Sequence, residues 1–476
     1  MIKKLARKLF WLFANSDIML IRRPAWRLLR FVERFVDKHM VSSTKTTNHS
    51  APILEPHHQE RLTEMYQAIQ HQKTFARETN SETAAYRSLS DSQTLRSTVV
   101  LVPSIPKFDR NSSALRIQSI LTAMSFRFGE IHLVHQAISE DDPIYKKGFP
   151  QNVYCHHIPF REHNIESFLE HETPEVLFIT ELFDLTYIRK CCEITETVKS
   201  GQPGCQVILD TMDCHWKKYV RKALVSQQTG DWATAWRYLE LETQFYPKAD
   251  LLTVVTDDDG YDIALSIEGS APHAVLPNCY QLADRVPHFQ QTQGLCFVGP
   301  ASVNHNLDAI RHLRDAILPR ILTKQPDVRV HVIGAGWDQY KHEFDPNTFV
   351  FPGHVRDLDQ TLAQHSVFVC PLTYGAGLKG KLGSAASAGI PVVSTSVGSE
   401  GYPISNSHEC LVSDNPEEFA RHCIDLLRDA ELWETKRSQF RKLIEQHYGM
   451  PALERYLDLA LSKLSRNNQK QATKKA

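Results

Sequence analysis

Short apolar runs alternate with longer segments of helical periodicity from Thr98 onward. The runs are rich in β-branched residues and include TVVLV, VLFI, QVIL, VRVHVIG and IPVVST. Continuous apolar strands are typical of parallel sheets buried on both faces, because the helices that connect parallel strands cover those faces. We therefore predict an α/β protein with about ten such strands, more than one ordinary nucleotide-binding sheet contains.

A polar stretch from Val286 to Gly294 separates two series of strands and helices. The length of 476 residues allows two or three domains. We predict two Rossmann-like, doubly wound domains that face each other across a cleft, residues 95–287 and residues 288–462. Ligands of such sheets bind at the carboxyl ends of the strands. Residues 1–94 are predicted to form a helical extension and linker, and residues 463–476 a disordered basic tail.

The first forty residues contain ten lysines and arginines against three acids, a net charge of +7, whereas the whole chain carries −1. Apolar residues recur among them at helical spacing. This pattern is typical of an amphipathic helix, either on an anionic membrane surface or docked on its own protein. No run reaches the roughly 20 apolar residues that span a bilayer. The near-neutral overall charge does not indicate nucleic-acid binding.

The segment YGAGLKGKLGSAASAGIPVV contains the pattern G-x-G-x-x-G at Gly375, Gly377 and Gly380. Glycines let the backbone approach a ligand closely, and the following helix would present free N–H groups to an anion. Lys379 and Lys381 add positive charge. We favour a diphosphate site over a dinucleotide site, because the dinucleotide pattern belongs to the first strand–helix turn of its domain. A tight turn with two solvated lysines is the third interpretation.

Two further patterns bear on metal and redox chemistry. The acidic run TDDDG follows the strand LLTVV, and Thr256 with Asp259 predicts a helix N-cap rather than a metal site. The ten cysteines are scattered without a C-x-x-C pair, so neither a zinc ribbon nor a disulfide framework is indicated. We expect reduced thiols in a cytoplasmic protein.

Polar residues follow predicted strands of the first half. Asp210 ends the run VILD, Asp213 and His215 follow it, and Asp109 and Arg116 follow the first strand. These ends should face the cleft, so we take the five residues as candidates for substrate binding, with Asp213 and His215 as catalytic candidates for orienting or deprotonating a hydroxyl group. Arg116 would hold an anionic group. The alternatives are helix capping, a packed histidine and a surface ion pair.

Segments of the chain resemble the GT-B glycosyltransferases of family 4, also called group 1. GLCFVGPASVNHNLDAIRHLRDAILPRILTKQPDVRVHVIGAG is similar to the first βαβ unit of their donor domain, and PLTYGAGLKGKLGSAASAGIPVVSTSVGSEG to their sugar-nucleotide loop. VLPNCYQ is similar to the turn that closes their first domain. The resemblance covers residues 96–462, more specifically in the second half, and leaves out residues 1–94.

This resemblance implies transfer of a sugar from a nucleotide-diphosphate donor to an acceptor, with retention of configuration and without a bound metal or other cofactor. The five polar candidates of the first half would then lie on the acceptor side, where Arg116 would hold an anionic acceptor or the donor phosphates. Lys379, and with it Lys381, would face the diphosphate, and Lys379 would also act in catalysis. The other donor-binding residues that the matching motifs imply are Gly299, Gly334, Gly336, Val355, Gly375 and Gly377.

One departure from the family pattern concerns the nucleotide ribose. The family usually has a glutamate at the position of Ser384, and a second acid at the position of Ala376. Ser384 can hydrogen-bond, although without charge and over a shorter reach, and Glu400 is the candidate to compensate. The departure leaves open a catalytically silent GT-B scaffold that binds a nucleotide sugar or a partner enzyme.

The combined expectation is a glycosyltransferase of bacterial cell-surface polysaccharide synthesis. Its partners would be a nucleotide sugar, a glycan or lipid-linked acceptor and, through residues 1–40, an anionic membrane surface. We expect a cytoplasmic protein, peripheral on the inner face of the membrane.

Overall fold

The computed structural model describes residues 56–77, 95–108, 112–140, 142–160, 164–404 and 408–475, with side chains from 57 to 70 in the first range and up to 465 in the last. The amphipathic segment predicted for residues 1–40 and the candidate residue Asp109 lie outside the described residues.

Thirteen strands are present in the described part of the chain. They are β1 Leu95–Ser104, β2 Phe128–Ala137, β3 Val153–His157, β4 Val176–Ile179, β5 Gln206–Thr211, β6 Leu251–Val254, β7 His273–Val275, β8 Leu295–Val298, β9 Val330–Ile333, β10 Phe349–Gly353, β11 Val367–Cys370, β12 Val392–Ser394 and β13 Leu411–Val412.

Helices separate most of these strands. They are α1 Pro56–Arg77, α2 Ser112–Met124, α3 Asp142–Lys146, α4 Asn164–Glu172, α5 Leu185–Gly201, α6 His215–Ser226, α7 Thr229–Phe245, α8 Asp257–Ser266, α9 Asn304–His312, α10 Leu318–Leu322, α11 Leu358–Leu362, α12 Gly380–Ala388, α13 Pro416–Arg428, α14 Ala430–Tyr448 and α15 Met450–Lys475. A π-helical turn, Leu313–Ile317, joins α9 to α10.

The strands form two sheets, and every strand pair in both sheets is parallel. The first sheet has the order β3-β2-β1-β4-β5-β6-β7 and the second β10-β9-β8-β11-β12-β13. The strand order reverses between β1 and β4 in one sheet and between β8 and β11 in the other, which is where open α/β sheets bind ligands. The predicted pair of doubly wound sheets is thus confirmed.

Three strands, β3, β7 and β13, do not correspond to any apolar run recognised in the sequence. All three lie at sheet edges. The central strands β4, β6 and β11 are buried at every position, whereas no residue of β3 or β7 is fully buried. An edge strand is covered on fewer sides, so its sequence needs no continuous apolar run.

The last helix corrects two expectations. Leu453, Leu457, Ala460 and Leu464 of α15 are buried in the core of the first sheet, although the chain before them belongs to the second. The second domain, predicted to extend to residue 462, therefore ends before this helix, which packs on the first sheet. The helix also continues to Lys475, where we predicted a disordered tail.

A helix also replaces part of the predicted linker. Residues of α1 pack against α6, α7 and α8 of the first half, and Leu62 and Ile69 on its inner face are buried. The helix lies in the same compact unit as both sheets, which spans Glu55–Ala476. Among the described residues, no helix combines the length and apolar character needed to cross a bilayer.

Candidate active site

The glycine-rich loop runs from the end of β11 to the start of α12, at the switch point of the second sheet. Gly377 has a φ of +69°, and a Cβ atom there would lie 2.2 Å from Asp213 Oδ1 of the first half. Both the backbone conformation and this close approach require glycine. The loop therefore touches the strand end of the opposite sheet.

The start of α12 also contacts the first half. A Cβ atom on Gly380 would lie 2.7 Å from the Cβ atom of Ser112, and one on Gly383 would lie 2.2 Å from the Tyr280 ring. Side chains larger than hydrogen would push the helix away from these neighbours. Glycine thus brings the two halves together at the loop.

Lys379 lies inside the loop, with only 6% of its surface exposed. Its Nζ donates hydrogen bonds to the carbonyl oxygens of Ala376, at 2.9 Å, and Gly377, at 2.6 Å. It also lies 3.8 Å from Glu400 Oε2. Burial lowers the pKa of Lys379 from its usual value, and Glu400 opposes that shift. Lys379 thus holds the loop together from within.

Lys381 has no acidic partner among the described residues. Its Nζ donates to Asn306 Oδ1, at 2.5 Å, and lies 4.2 Å from the centre of the Phe297 ring. Burial, reinforced by Lys379, lowers the pKa of Lys381 to about 8. A desolvated cation without a counter-ion is a group that gains from binding an anion.

His305, near the start of α9, interacts electrostatically with three lysines, Lys381, Lys218 and Lys379. Burial holds the pKa of His305 far below its usual value, and the three lysines lower it further. Two of the lysines come from the glycine loop region and Lys218 from the first half. We call this group of four residues the cationic pocket. Neither His305 nor Lys218 was singled out in the sequence.

The predicted glycines of the second sheet lie at the carboxyl ends of β8 and β9. Gly334 has a φ of +144°, and a Cβ atom there would lie 2.4 Å from the Gly299 carbonyl oxygen. Trp337 Nε1 donates to that same oxygen at 2.9 Å. Gly336, with a φ of +85°, starts the turn that carries Trp337. Val355 is partly buried against the core of this half.

Neither candidate for gripping a ribose has a free side chain. Ser384 Oγ donates back to the Gly380 carbonyl oxygen of its own helix, at 3.3 Å. Glu400 binds Arg221 at 2.6 Å and Lys217 at 3.1 Å, both from α6 of the first half. Burial alone would raise the pKa of Glu400, but Lys217, Lys379 and Arg221 outweigh it and hold that pKa well below its usual value. Glu400 is thus a bridge between the halves.

Asp210 and Arg116 need a correction, because neither is exposed to the cleft or at the surface. Both side chains are 0% exposed, and two hydrogen bonds of 2.6 and 2.7 Å join them. Thr180 and Thr253 donate to the same carboxylate, and Arg116 also donates to the Leu276 carbonyl oxygen. A buried pair whose hydrogen bonds are all made has no group left for an acceptor.

The two catalytic candidates of the first half differ in position. His215 is buried; its Nδ1 lies 3.1 Å from Glu242 Oε1 and its ring stacks on Tyr238 at 5.0 Å. His215 is therefore a histidine packed in the protein interior, as one of the alternative interpretations of the sequence predicted. Asp213 instead lies against Gly377 and binds Lys218 at 2.9 Å. Of the two candidates, only Asp213 contacts the glycine loop.

Glu181 is an acid that the sequence reasoning missed. It follows β4, the strand at the switch point of the first sheet, and has a φ of +57°, which is uncommon for a residue other than glycine. Ser113 Oγ donates to its Oε1 at 3.0 Å. Burial raises the pKa of Glu181 to about 7. Residues with strained backbone conformations and acids with shifted pKa values are often found at functional sites. Its place directly after the run VLFIT was the available signal.

The capping prediction at TDDDG is confirmed. Thr256 is the N-cap of α8, and its Oγ1 accepts a hydrogen bond from the Asp259 backbone N–H at 3.1 Å. In a second hydrogen bond, Thr256 Oγ1 donates to the carboxylate of Asp259 at 2.8 Å. The side chain of Asp259 is therefore part of the helix cap.

Comparison with solved structures defines the fold as that of the GT-B glycosyltransferases. HepE of Anabaena, in complex with UDP and glucose, is 12% identical and covers 77% of this chain and 99% of its own, with a TM-score of 0.56. TarM is 11% identical over 79% of this chain and 99% of its own, with a TM-score of 0.62. WaaG, a glycosyltransferase involved in lipopolysaccharide biosynthesis, is 12% identical over 76% and 99%, with a TM-score of 0.54.

A sequence match covers part of the second half. Residues 292–429 match the family model of the group 1 glycosyl transferases, which confirms the resemblance carried by the second half. A protein encoded in the cps region of Klebsiella pneumoniae, itself uncharacterized, is 25% identical over 138 residues. That match covers 27% of this chain and 36% of the relative. The chain thus spans about a third of the length of the curated relative it matches.

Proposed function

We propose that this protein transfers a sugar from a uridine diphosphate donor to a glycan or lipid-linked acceptor. The observation that carries the proposal is the cationic pocket, where Lys381 has no acidic partner in the described part of the chain. A diphosphate would supply the missing negative charge. The choice of uridine rests on HepE, a protein of this fold that binds UDP and glucose.

The pocket would contribute more to the transition state than to binding. Negative charge accumulates on the phosphate oxygens as the bond to the sugar breaks, so fixed cations stabilise the departing diphosphate. Lys381 would face that charge directly. Lys379 would hold the loop and add to the local potential. The first N–H groups of α12 would help to bind the same oxygens.

The acceptor would enter from the first half. Asp213 lies against the glycine loop, and Glu181 follows the switch-point strand of the other sheet. We assign both to binding and orienting the acceptor hydroxyl, with Glu181 able to exchange a proton near neutral pH because its pKa is raised to about 7. Retention of configuration and transfer without a metal are part of the proposal and rest on the family resemblance.

A catalytically silent scaffold is the second candidate, and the ribose-binding position favours it. Ser384 bonds within its own helix, and the salt bridges of Glu400 to Lys217 and Arg221 leave it no free charge. A protein of this kind would bind the diphosphate through the pocket, but with a weaker hold on the nucleoside. It would show binding without transfer.

The setting we propose is bacterial cell-surface polysaccharide synthesis in the cytoplasm. The relative from a cps region and the fold shared with WaaG support this setting. All ten cysteines are free thiols, as suits a reducing compartment. Attachment to the inner face of the membrane through residues 1–40 stays part of the proposal.

A panel of nucleotide sugars, assayed for binding by calorimetry and for hydrolysis or transfer, tests the proposal. UDP-sugars should bind with dissociation constants between micromolar and millimolar, about −4 to −8 kcal/mol. The same activity in the presence of EDTA would support transfer without a metal. Binding without turnover on any acceptor would favour the scaffold. Tight binding of NAD with no binding of nucleotide sugars would overturn both candidates.

A further inference from the structure

Helix α1 lies outside the family resemblance, yet it reaches the glycine loop through one arginine. Arg221 donates from Nε to Tyr66 Oη of α1 at 2.9 Å. The same guanidinium donates to the Gly375 carbonyl oxygen at 2.8 Å and to Glu400 Oε2 at 2.6 Å. One side chain of the first half thus joins the extension to two groups of the second half.

The position of Tyr66 is fixed by the packing of its helix. Leu62 is 0% exposed and Ile69 is 3% exposed, and both lie on the same side of α1. On the preceding turn, His58 stacks on Trp236 of α7 with ring centres 3.9 Å apart, and Arg61 lies 5.6 Å from the same ring. Each ordered contact reduces the freedom of the tyrosine to move away from Arg221.

Arg221 in turn fixes the turn that surrounds Lys379. Gly375 has a φ of +152°, and a Cβ atom on it would lie 3.0 Å from Lys379 Cε. The Gly375 carbonyl that Arg221 holds therefore belongs to the residue packed on the lysine stem. A guanidinium binds in a fixed planar geometry, so its hydrogen bonds set direction as well as distance.

The charges around Glu400 make this arrangement sensitive to Arg221. Glu400 lies 3.8 Å from Lys379 and also binds Arg221 and Lys217. Lys217 is also held by Asp262 at 2.5 Å, so its position does not depend on Glu400 alone. If Arg221 loses its orientation, Glu400 loses a ligand and the environment of Lys379 changes with it.

We propose that Tyr66 is a positioning residue for the donor loop. It orients Arg221, which holds the Gly375 carbonyl and Glu400, and these hold Lys379. The extension before the family-like part of the chain thus completes the donor site through Arg221. The inference deepens the proposed function and rests on it for the identity of the donor.

The test compares the full-length wild type with Tyr66→Phe, which removes one hydroxyl and keeps the ring. Tyr261→Phe is the matched control, because Tyr261 is half exposed on α8. Losing a hydrogen bond to a charged donor should raise the Kd for UDP and the donor KM about fivefold, with the acceptor KM unchanged. In an Arg221→Met background, Tyr66→Phe should add no further loss.

Hydrogen exchange of the loop amides, residues 372–379, supplies a readout without a ligand. Tyr66→Phe and Arg221→Met should both speed exchange there about tenfold, because the loop opens more often. The control should match the wild type, and the melting temperature should stay unchanged for Tyr66→Phe. Loop exchange equal to the wild type would overturn the inference. A wild type that fails to bind UDP, but whose loop responds to Tyr66→Phe, would overturn only the proposed donor.

Discussion

The carboxyl edges of the two sheets differ in how their charges are partnered. In the first sheet, Asp210 binds Arg116 through two hydrogen bonds, and both are fully buried. In the second sheet, Lys381 is partly buried beside His305 and Lys379, with no acid bound to it in the described residues. Charged residues at a strand end thus mark a ligand site only where the protein leaves the charge without a partner.

The largest effect should come from breaking the pair in the first sheet. Asp210→Ala leaves Arg116 buried without a counter-ion, so the free energy of unfolding should fall by about 3–5 kcal/mol. Chemical denaturation measures this change. Lys381→Met is the contrast, and it should leave the stability near that of the wild type, because no ion pair is lost. A stable Asp210→Ala variant with lost activity would show that Asp210 acts on a substrate instead.

A smaller but still large effect is expected at the centre of the loop. Lys379→Met keeps the side-chain stem and removes the charge, so it should lower kcat by about 10²-fold, or ~2.7 kcal/mol, and weaken donor binding less. Steady-state kinetics with a donor that turns over provides the measurement. Unchanged turnover in an active preparation would mean that the loop is only a turn.

The pKa of Lys381 makes donor affinity depend on pH. In the proposed function the protonated form of Lys381 would bind the diphosphate, and burial lowers the pKa of Lys381 in the free protein to about 8. Affinity should therefore be complete below pH 8 and fall above it, by about tenfold per pH unit until the raised pKa of the complex is reached. Titration of UDP from pH 7 to 9.5 tests this. Lys381→Met should flatten the profile, and an equally steep profile in that variant would assign the dependence to another group.

The smallest expected effect concerns the ribose. Because Glu400 is engaged by Arg221 and Lys217, Ser384→Glu should supply an acid that the pocket lacks and tighten nucleotide binding about fivefold, or ~1 kcal/mol. Calorimetry with UDP measures the change. Inorganic pyrophosphate, which lacks the ribose, serves as the control ligand. Weaker UDP binding in Ser384→Glu would mean that Glu400 already acts on the ribose and repels the new acid.

The sequence predicted the central strands of the two sheets better than the edge strands and the last helix. The central strands have continuous apolar runs because both of their faces are covered, whereas the edge strands β3, β7 and β13 carry no such signal. The return of α15 to the first sheet was also missed, since an amphipathic pattern shows that a helix packs but not on which surface.

Within the site, the pattern of glycines and lysines predicted the loop, but not the partners of each charge. Asp210 and Arg116 are 94 residues apart, and nothing local in the sequence indicates that they meet. The same holds for Glu400 and Arg221, which are 179 residues apart. His305 and Glu181 became candidates only when their surroundings were known. Long-range pairing decides whether a charge is available to a ligand.

The proposed function requires that the cationic pocket bind a nucleoside diphosphate. Calorimetric titration of UDP into the full-length protein at pH 7 tests it most directly, with Lys381→Met as the variant and Lys146→Met, an exposed lysine of the first half, as the control. We expect binding by the wild type and by the control, and at least about tenfold weaker binding by Lys381→Met. Equal affinity in all three proteins, or no binding of UDP to the wild type, would contradict it.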